Sequence, residues 1–486
     1  MIVLSLTIAV VILTVLGALF YGNRTRKGQS VAEWAVGGRS MGTLIFWFLN
    51  AGEIYTTFAV LGISGYAWAY GGPAYLAFCS VSLSAAVGYW LTPKIWKAGK
   101  DRGLITQADF FADHYHARWL GVIVGLAGIA ALVVYVQIQI TALALVLRLS
   151  LHQDISATTA AIASAVLMLL FVFSAGLRSA AFAAAVKDIL MVAIVIALSA
   201  TVASHVGAAS IGDIFRQVEA SHPGIGNLPG RVANSGLTST WMMTAAINVA
   251  LGTFIFPHMF QLTYSAADPW AIRRNAVFQP LYSLSYFFII LLGFGALAVG
   301  TMPPGGDPNA ALLQFVADRY PAWAVGIFAG TACLLALVPG AVLLLTAGSI
   351  FSRNVVLPLV PNLEDRAVLL ISRLSMILFA AAAVYLTIGA TQSLVDIGLT
   401  AYASIGMLAP GVFLAFLWPR TNATAVFSGI LVGYGLLLIP QAVRIFSLFP
   451  NWDTGLVAMI ANALVTVMVT LISTSRGLKE PAVRTA

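Results

Sequence analysis

The chain has 486 residues, of which 60% are apolar and only 9% charged, and its mean hydropathy is +0.94. A soluble protein of that length carries roughly a quarter charged residues, so the composition excludes a soluble enzyme or binding domain. It indicates a polytopic membrane protein built from helices. The formal net charge of +8 would suit nucleic acid only if the basic residues formed one patch, and their distribution assigns them to topology instead.

Thirteen apolar stretches reach the ~20 residues needed to cross a bilayer. They lie near residues 2–21, 42–69, 72–93, 118–149, 155–176, 180–205, 239–263, 276–301, 321–352, 367–390, 394–418, 423–445 and 455–474, and are numbered here as spans 1–13. The two longest should tilt or extend beyond the bilayer. Loops alternate strongly in charge. Those after the odd-numbered spans, with their flanks, hold every lysine and all the arginines except Arg148, Arg216, Arg231, Arg319 and Arg444. The positive-inside rule then puts the N-terminus outside and the C-terminal tail (475–486) in the cytoplasm. Span 1 lacks a preceding basic residue and a small-residue cleavage site, and RTRK (Arg24–Lys27) follows it. It therefore reads as a retained span rather than a cleaved signal.

In chain order, span 2 carries the most informative stretch, LNAGEIYTTF (Leu49–Phe58). Glu53 is an ionisable residue at membrane depth, where charge is costly and marks a binding or coupling site by default. Gly52, Thr56 and Thr57 beside it weaken the helix, and a break there is tolerated where the freed polar groups meet protein or line a cavity. Cys79 and Cys333 fall in apolar spans and read as small core residues without a disulfide framework. His114 and His116 sit in the polar loop Gln107–Trp119, which reads as solvated. Span 4 contains Gln137 and Gln139, about 200° apart on a helix, so only one of them can face a given cavity.

Span 6 carries Lys187 and Asp188 about two turns inside its expected start. Lys187 either snorkels to the interface or faces the core near Glu53. After a long external segment (His205–Thr238), span 7 carries Gly252, Pro257 and His258 within two turns, which kinks it. Two interrupted spans five apart are the pattern of inverted repeats whose first helices break at a midplane site. Spans 2–6 (42–205) and 7–11 (239–418) are the expected repeats, with span 1 (1–21) added before them and spans 12–13 (423–474) after. No phosphate loop, zincin helix or nucleophile elbow occurs in a plausible setting. The chain therefore reads as a transporter rather than an enzyme, with no cofactor.

Several stretches, AGEIYTTF (Ala51–Phe58), YVQIQI (Tyr135–Ile140), SAGLRSA (Ser174–Ala180) with VKDI (Val186–Ile189), FPHMF (Phe256–Phe260), IRRNA (Ile272–Ala276) and ALVP (Ala336–Pro339) leading to FSRNVV (Phe351–Val356), together resemble the solute:sodium symporter family. Within it they resemble the bacterial monocarboxylate permease branch. The resemblance covers nearly the whole chain. It implies an all-α membrane protein of about 13 helices with the five-plus-five inverted-repeat fold of the leucine transporter, one extra N-terminal helix and two extra C-terminal ones. It also implies uptake of pyruvate- or lactate-like monocarboxylates across the bacterial inner membrane by alternating access, with a small solute, a coupling cation (H+ or Na+) and lipid as partners.

The sodium site departs from the family pattern. The family's two hydroxyl positions on span 9 fall at Val338 and Pro339, and no side-chain oxygen follows before Thr346. On span 2 the resemblance leaves Glu53 and the carbonyls of Ala51 and Ile54 as a residual site. In some transporters of this fold a lysine on the fifth core helix puts its amine where sodium would sit, and Lys187 is on that helix. A buried lysine can exchange its proton near neutral pH, so Glu53, Lys187 and Asp188 are the expected ion-coupling residues, coupling to protons. For substrate the expectation is a carboxylate on the amides near Ala51 and Gly52, with Tyr55, Thr56, Gln137, Phe256 and His258 around it. Two other readings stand beside this one: a sodium symporter for another small solute such as an amino acid or pantothenate, and a transporter-like membrane sensor.

Overall fold

The computed structural model describes residues 2–25, 35–150, 155–174, 176–390 and 392–475. Of the expected tail, 476–486 lie outside the described residues. Among the described residues nine helices are long and apolar enough to cross a membrane, and four bent pairs raise the number of spans to thirteen. Each coincides with a stretch expected from the sequence. Spans 2 and 7 are both broken, by 45° between Thr43–Ile54 (span 2a) and Phe58–Tyr70 (span 2b), and by 52° between Ser239–Ile255 (span 7a) and Pro257–Ser265 (span 7b). Span 11 bends by 43° between Leu394–Gly406 and Ala409–Leu417, which hydropathy alone did not signal.

Span 9 (Ala322–Val356) is the central helix. Its most apolar window is 94% buried inside the protein, against 17% for span 1 (Ile2–Thr25). An all-round apolar helix can sit either in lipid or in a protein core, and here neighbours on every side decide for the core. Spans 1, 4, 5, 6 and 10 surround it. Span 2a is wedged between span 6 (Leu177–Val206) and span 8 (Pro269–Ala298), whereas span 7a lies against spans 3 and 11. This arrangement brings both breaks to the middle of the molecule.

Both ends of span 2 are held. On the basic side, Met41 bridges to Ala266, its N–H meeting Ser265 O at 3.0 Å while Ala267 N–H meets Met41 O at 2.9 Å. Gln261 donates to Ala35 O at 2.6 Å, Trp96 to Ala266 O at 2.9 Å and Arg39 to Leu104 O at 2.5 Å. On the opposite side Gly72 N–H meets Ile225 O at 2.7 Å and Arg231 N–H meets Tyr70 O at 3.0 Å.

Two loop expectations change. The segment around His114 forms the helix Gln107–His114, started by a capping box between Thr106 and Asp109. His114 is stacked on Phe110, 5.6 Å between ring centroids, rather than solvated, and burial lowers its pKa to about 4. His116 is exposed. Cys333 is buried as expected, but Cys79 is exposed on the outer surface of span 3. An apolar thiol there meets lipid as readily as core.

Candidate functional site

Span 2a ends at Tyr55, whose φ of −96° and ψ of 78° leave the helix, while its N–H still bonds Ala51 O at 3.0 Å. Thr56 begins the outer half. Its carbonyl accepts from Ala59 and Val60 N–H and its Oγ1 from Phe58 N–H at 3.2 Å, so Thr56 is a cap rather than a cavity wall. Thr57 donates to Gln139 Oε1 at 3.0 Å. A helix interrupted this way leaves carbonyls at the end of its first half without intrahelical donors.

Lys187 supplies them. Span 6 starts at Leu177, which sets Lys187 about 15 Å along the helix, too deep to snorkel. Its Nζ lies 2.8 Å from Gly52 O, 3.2 Å from Tyr55 O and 2.6 Å from Asp188 Oδ1, and both side chains of the ion pair are 0% exposed. The two neighbours thus pair although their Cβ atoms diverge, because the long lysine stem can fold back. An ammonium has three donors, and here each finds an acceptor. Glu53 is also buried, with no protein hydrogen bond to either carboxylate oxygen. It lies within electrostatic reach of Lys187, Asp188 and Tyr135.

Three expectations are corrected. The carbonyls that meet Lys187 are those of Gly52 and Tyr55, and Ala51 O is not available because it remains in a helical bond with Tyr55 N–H. For the same reason the amides of Ala51 and Gly52 are inside span 2a and are not a free helix terminus. Gln137 donates to Leu386 O on span 10 at 3.1 Å, whereas Gln139, on the other helix face, reaches the break.

At the second break Phe256 has ψ 137° and Pro257 opens span 7b, where proline's missing N–H is harmless. The His258 ring packs against both Tyr135 and Phe256, at centroid distances of 5.7 and 5.4 Å, with its Nδ1 buried and unbonded. Beside the breaks is a narrow cavity of about 30 Å³ whose walls include Ile54, Phe58, Tyr135, Val249, Tyr286 and Tyr402. Of the expected substrate residues, Tyr55 faces Tyr282 and Tyr286 instead, at 4.1 and 5.2 Å, and Phe256 stands one layer behind, in edge contact with Tyr402 at 5.1 Å. Tyr286 and Tyr402 were missed from sequence. Their one signal is a phenol placed in an otherwise apolar span.

Span 9 runs unbroken past Val338 and Pro339, both buried and neither offering a side-chain oxygen. Thr346 Oγ1 is buried without a protein partner, two turns further on. Two broken helices beside a narrow cavity, the first of them ending on a buried ion pair, form the core of a carrier, and a model of the sodium:solute symporter family matches residues 34–433. The chain belongs to the sodium:solute symporter family.

Its relatives in that family agree in extent. It is 32% identical over 468 residues to the symporter YhjB of Bacillus subtilis, covering 94% of this chain and 95% of that one. It is 28% identical to a monocarboxylate transport permease of Rhizobium johnstonii, covering 94% of each. The fold superposes on a Na+-coupled sialic acid symporter in its substrate-bound outward-open state with a TM-score of 0.80, covering 100% of this chain and 99% of that one at 13% identity. The symporter fold, with its leucine-transporter-like arrangement and membrane location, follows from these matches together with the broken spans.

Proposed function

We propose that this family member takes up a small monocarboxylate, of pyruvate or lactate size, in symport with protons. The observation that carries the coupling ion is the Lys187 ammonium bonded to the carbonyls of Gly52 and Tyr55 at the break of span 2. A sodium ion at those carbonyls would face a like charge about 3 Å away, a repulsion of ~5 kcal/mol even at an effective dielectric of 20, and span 9 offers no hydroxyl at Val338 or Pro339 to offset it. Protonation offers a simple switch. An ammonium satisfies Gly52 O, Tyr55 O and Asp188 together, whereas a neutral amine has two N–H groups and must release one of them. Loss of the proton therefore frees the end of span 2a, the element that must move in alternating access. Asp188 is the direct counter-ion, and Glu53 is a second buried acid within electrostatic reach of the amine.

The substrate's small apolar body suits the cavity walls at Ile54, Phe58 and Val249, and Tyr66, Ser80, Tyr135, Tyr286 and Tyr402 bring hydroxyls to the same walls. Span 2b begins beside the cavity and directs the positive end of its dipole at it, which favours a carboxylate. The Rhizobium permease, named for monocarboxylates, supports the same substrate class. We place the basic side in the cytoplasm and the repeats at 42–205 and 239–418. A sodium-coupled alternative draws on the family's name and on the sialic acid symporter's fold.

Uptake of labelled pyruvate and lactate into proteoliposomes, with pH and sodium gradients imposed separately, tests the proposal. The expected result is uptake driven by the pH gradient, indifferent to sodium and lost in Lys187→Ala. Uptake that requires sodium, or a Lys187→Ala protein that keeps proton-driven uptake at the wild-type rate, overturns the coupling; no uptake of either acid overturns the substrate.

A further inference from the structure

Spans 2a and 8 both start on the basic side and run in parallel toward the middle of the molecule, and their contact is far more polar than its surroundings. On span 8, Asn275, Gln279, Tyr282 and Tyr286 follow at i, i+4, i+7 and i+11 and share one face. On span 2, Trp47, Asn50 and Tyr55 oppose them: Asn275 donates to Asn50 Oδ1 at 3.0 Å, Trp47 lies edge-on to Tyr282 at 5.7 Å and Tyr55 edge-on to it at 4.1 Å.

A structural role as helix glue would pair these groups with each other. Apart from the asparagine bond, the protein does not. Trp47 Nε1, the hydroxyls of Tyr55 and Tyr282, both amide atoms of Gln279, Asn275 Oδ1 and Asp188 Oδ2 are all buried without a protein hydrogen-bond partner. Gln279 is 0% exposed. Buried polar groups are satisfied by protein or by ordered water, and lipid can supply neither, so a row of orphans in a membrane protein marks a wet seam. The seam has two defined ends. At the inner end Tyr55 and Tyr282 lie within electrostatic reach of Asp188, the partner of Lys187. At the other, Asn275 directly follows the exposed Arg273 and Arg274.

We infer that spans 2a and 8 enclose a file of ordered water leading from the Lys187–Asp188 pair to the basic, cytoplasmic side, and that this file carries the coupling proton. The path is separate from the substrate cavity, whose walls include Tyr286 but not Trp47, Asn50, Gln279 or Tyr282. The first half of the inference is independent of the coupling ion; the second rests on the proton-coupled reading above.

Radiolytic hydroxyl labelling of the full-length protein, read by mass spectrometry, tests the file directly. With rates corrected for intrinsic reactivity, Trp47 and Tyr282 should label about tenfold faster than Tyr115, a buried phenol whose hydroxyl is taken by Gly411 O. Gln279→Leu, which fills the seam with a side chain of similar size, should remove that excess, and Gln279→Ser should keep it. Labelling of Trp47 and Tyr282 no faster than Tyr115 overturns the file. In proteoliposomes Gln279→Leu should slow pH-driven uptake about tenfold with substrate affinity unchanged, and Gln279→Ser should restore it. If Lys187→Ala abolishes proton-driven uptake while Gln279→Leu leaves it at the wild-type rate, the proton takes another route and this inference falls alone. If Lys187→Ala leaves it intact, the coupling reading fails and the proton-carrying half falls with it, the labelling still deciding whether the file exists.

Discussion

Gly52 shows how tightly the centre is drawn. A Cβ at this position would stand 3.0 Å from Lys187 Nζ and 3.0 Å from Asp188 Oδ2, nearer than side-chain carbons normally approach. Gly52→Ala is therefore expected to push the amine off the carbonyls, at a cost of about 1–3 kcal/mol from overpacking. Since the ion pair, not the fold, absorbs that cost, coupled uptake should fall while the melting temperature of the purified protein changes by only a few degrees. Wild-type uptake in Gly52→Ala would mean that Lys187 does not act from this position. Sequence made part of this site legible. Glu53 and Lys187 stand out because ionisable residues in apolar helices are expensive, and glycine beside Glu53 marked the break. The orientation of Lys187 was not legible, since a stem of four methylenes reaches either the interface or the core and only the true start of span 6 decides. The choice between Gln137 and Gln139 failed for a related reason: helix periodicity says they diverge without saying which faces inward. The cavity tyrosines were hidden because phenols are ordinary in membrane cores.

At the scale of elements, the outer half of span 2 is sealed by a short helical turn, Pro308–Ala310, between spans 8 and 9. Gly65 permits the seal, because a Cβ there would lie 2.1 Å from Pro308 O. The clash is with backbone, so no side-chain rotation relieves it. Asn309 completes the lid by accepting from Leu394 N–H at 2.8 Å on span 11. Gly65→Ala should lift this lid and expose the cavity. In a protein without Cys79 and Cys333, Leu399→Cys on the cavity wall should then react with a membrane-impermeant maleimide about tenfold faster than in the Gly65 background, the change expected when roughly 1.4 kcal/mol of closure is lost. Equal rates would place the barrier elsewhere. Spans and their breaks at 2 and 7 were readable because length, hydropathy and proline act locally. This lid was not, since it depends on a glycine meeting a carbonyl 243 residues away in sequence.

For the whole molecule, transport requires that closures on the two sides be nearly balanced, so that small changes in binding shift the population between them. On the basic side the closure of span 2 is braced from behind. Asp109 caps the helix Gln107–His114 by accepting from Ile105 and Thr106 N–H at 2.9 and 3.1 Å. It also reaches the basic end of span 9 through Arg353 at 2.8 Å and Asn354 at 2.7 Å. One carboxylate therefore ties the loop between spans 3 and 4 to the central helix. Asp109→Ala removes the cap and the partly buried ion pair together, and loss of a cap alone costs about 1 kcal/mol. With the ion pair included, about 2 kcal/mol of basic-side closure should go, which moves a two-state equilibrium roughly thirtyfold toward the state open on that side. Ser265→Cys, buried where Met41 meets span 7b, reports the shift: in vesicles that expose the basic side, its maleimide labelling should rise by about the same factor. Exchange of substrate across the membrane should persist, because the cavity and the Lys187 site are untouched. An unchanged labelling rate in folded Asp109→Ala protein would mean that Arg39 and the Met41–Ala266 bridge hold the closure without this brace, and the search for the limiting contact would move to them.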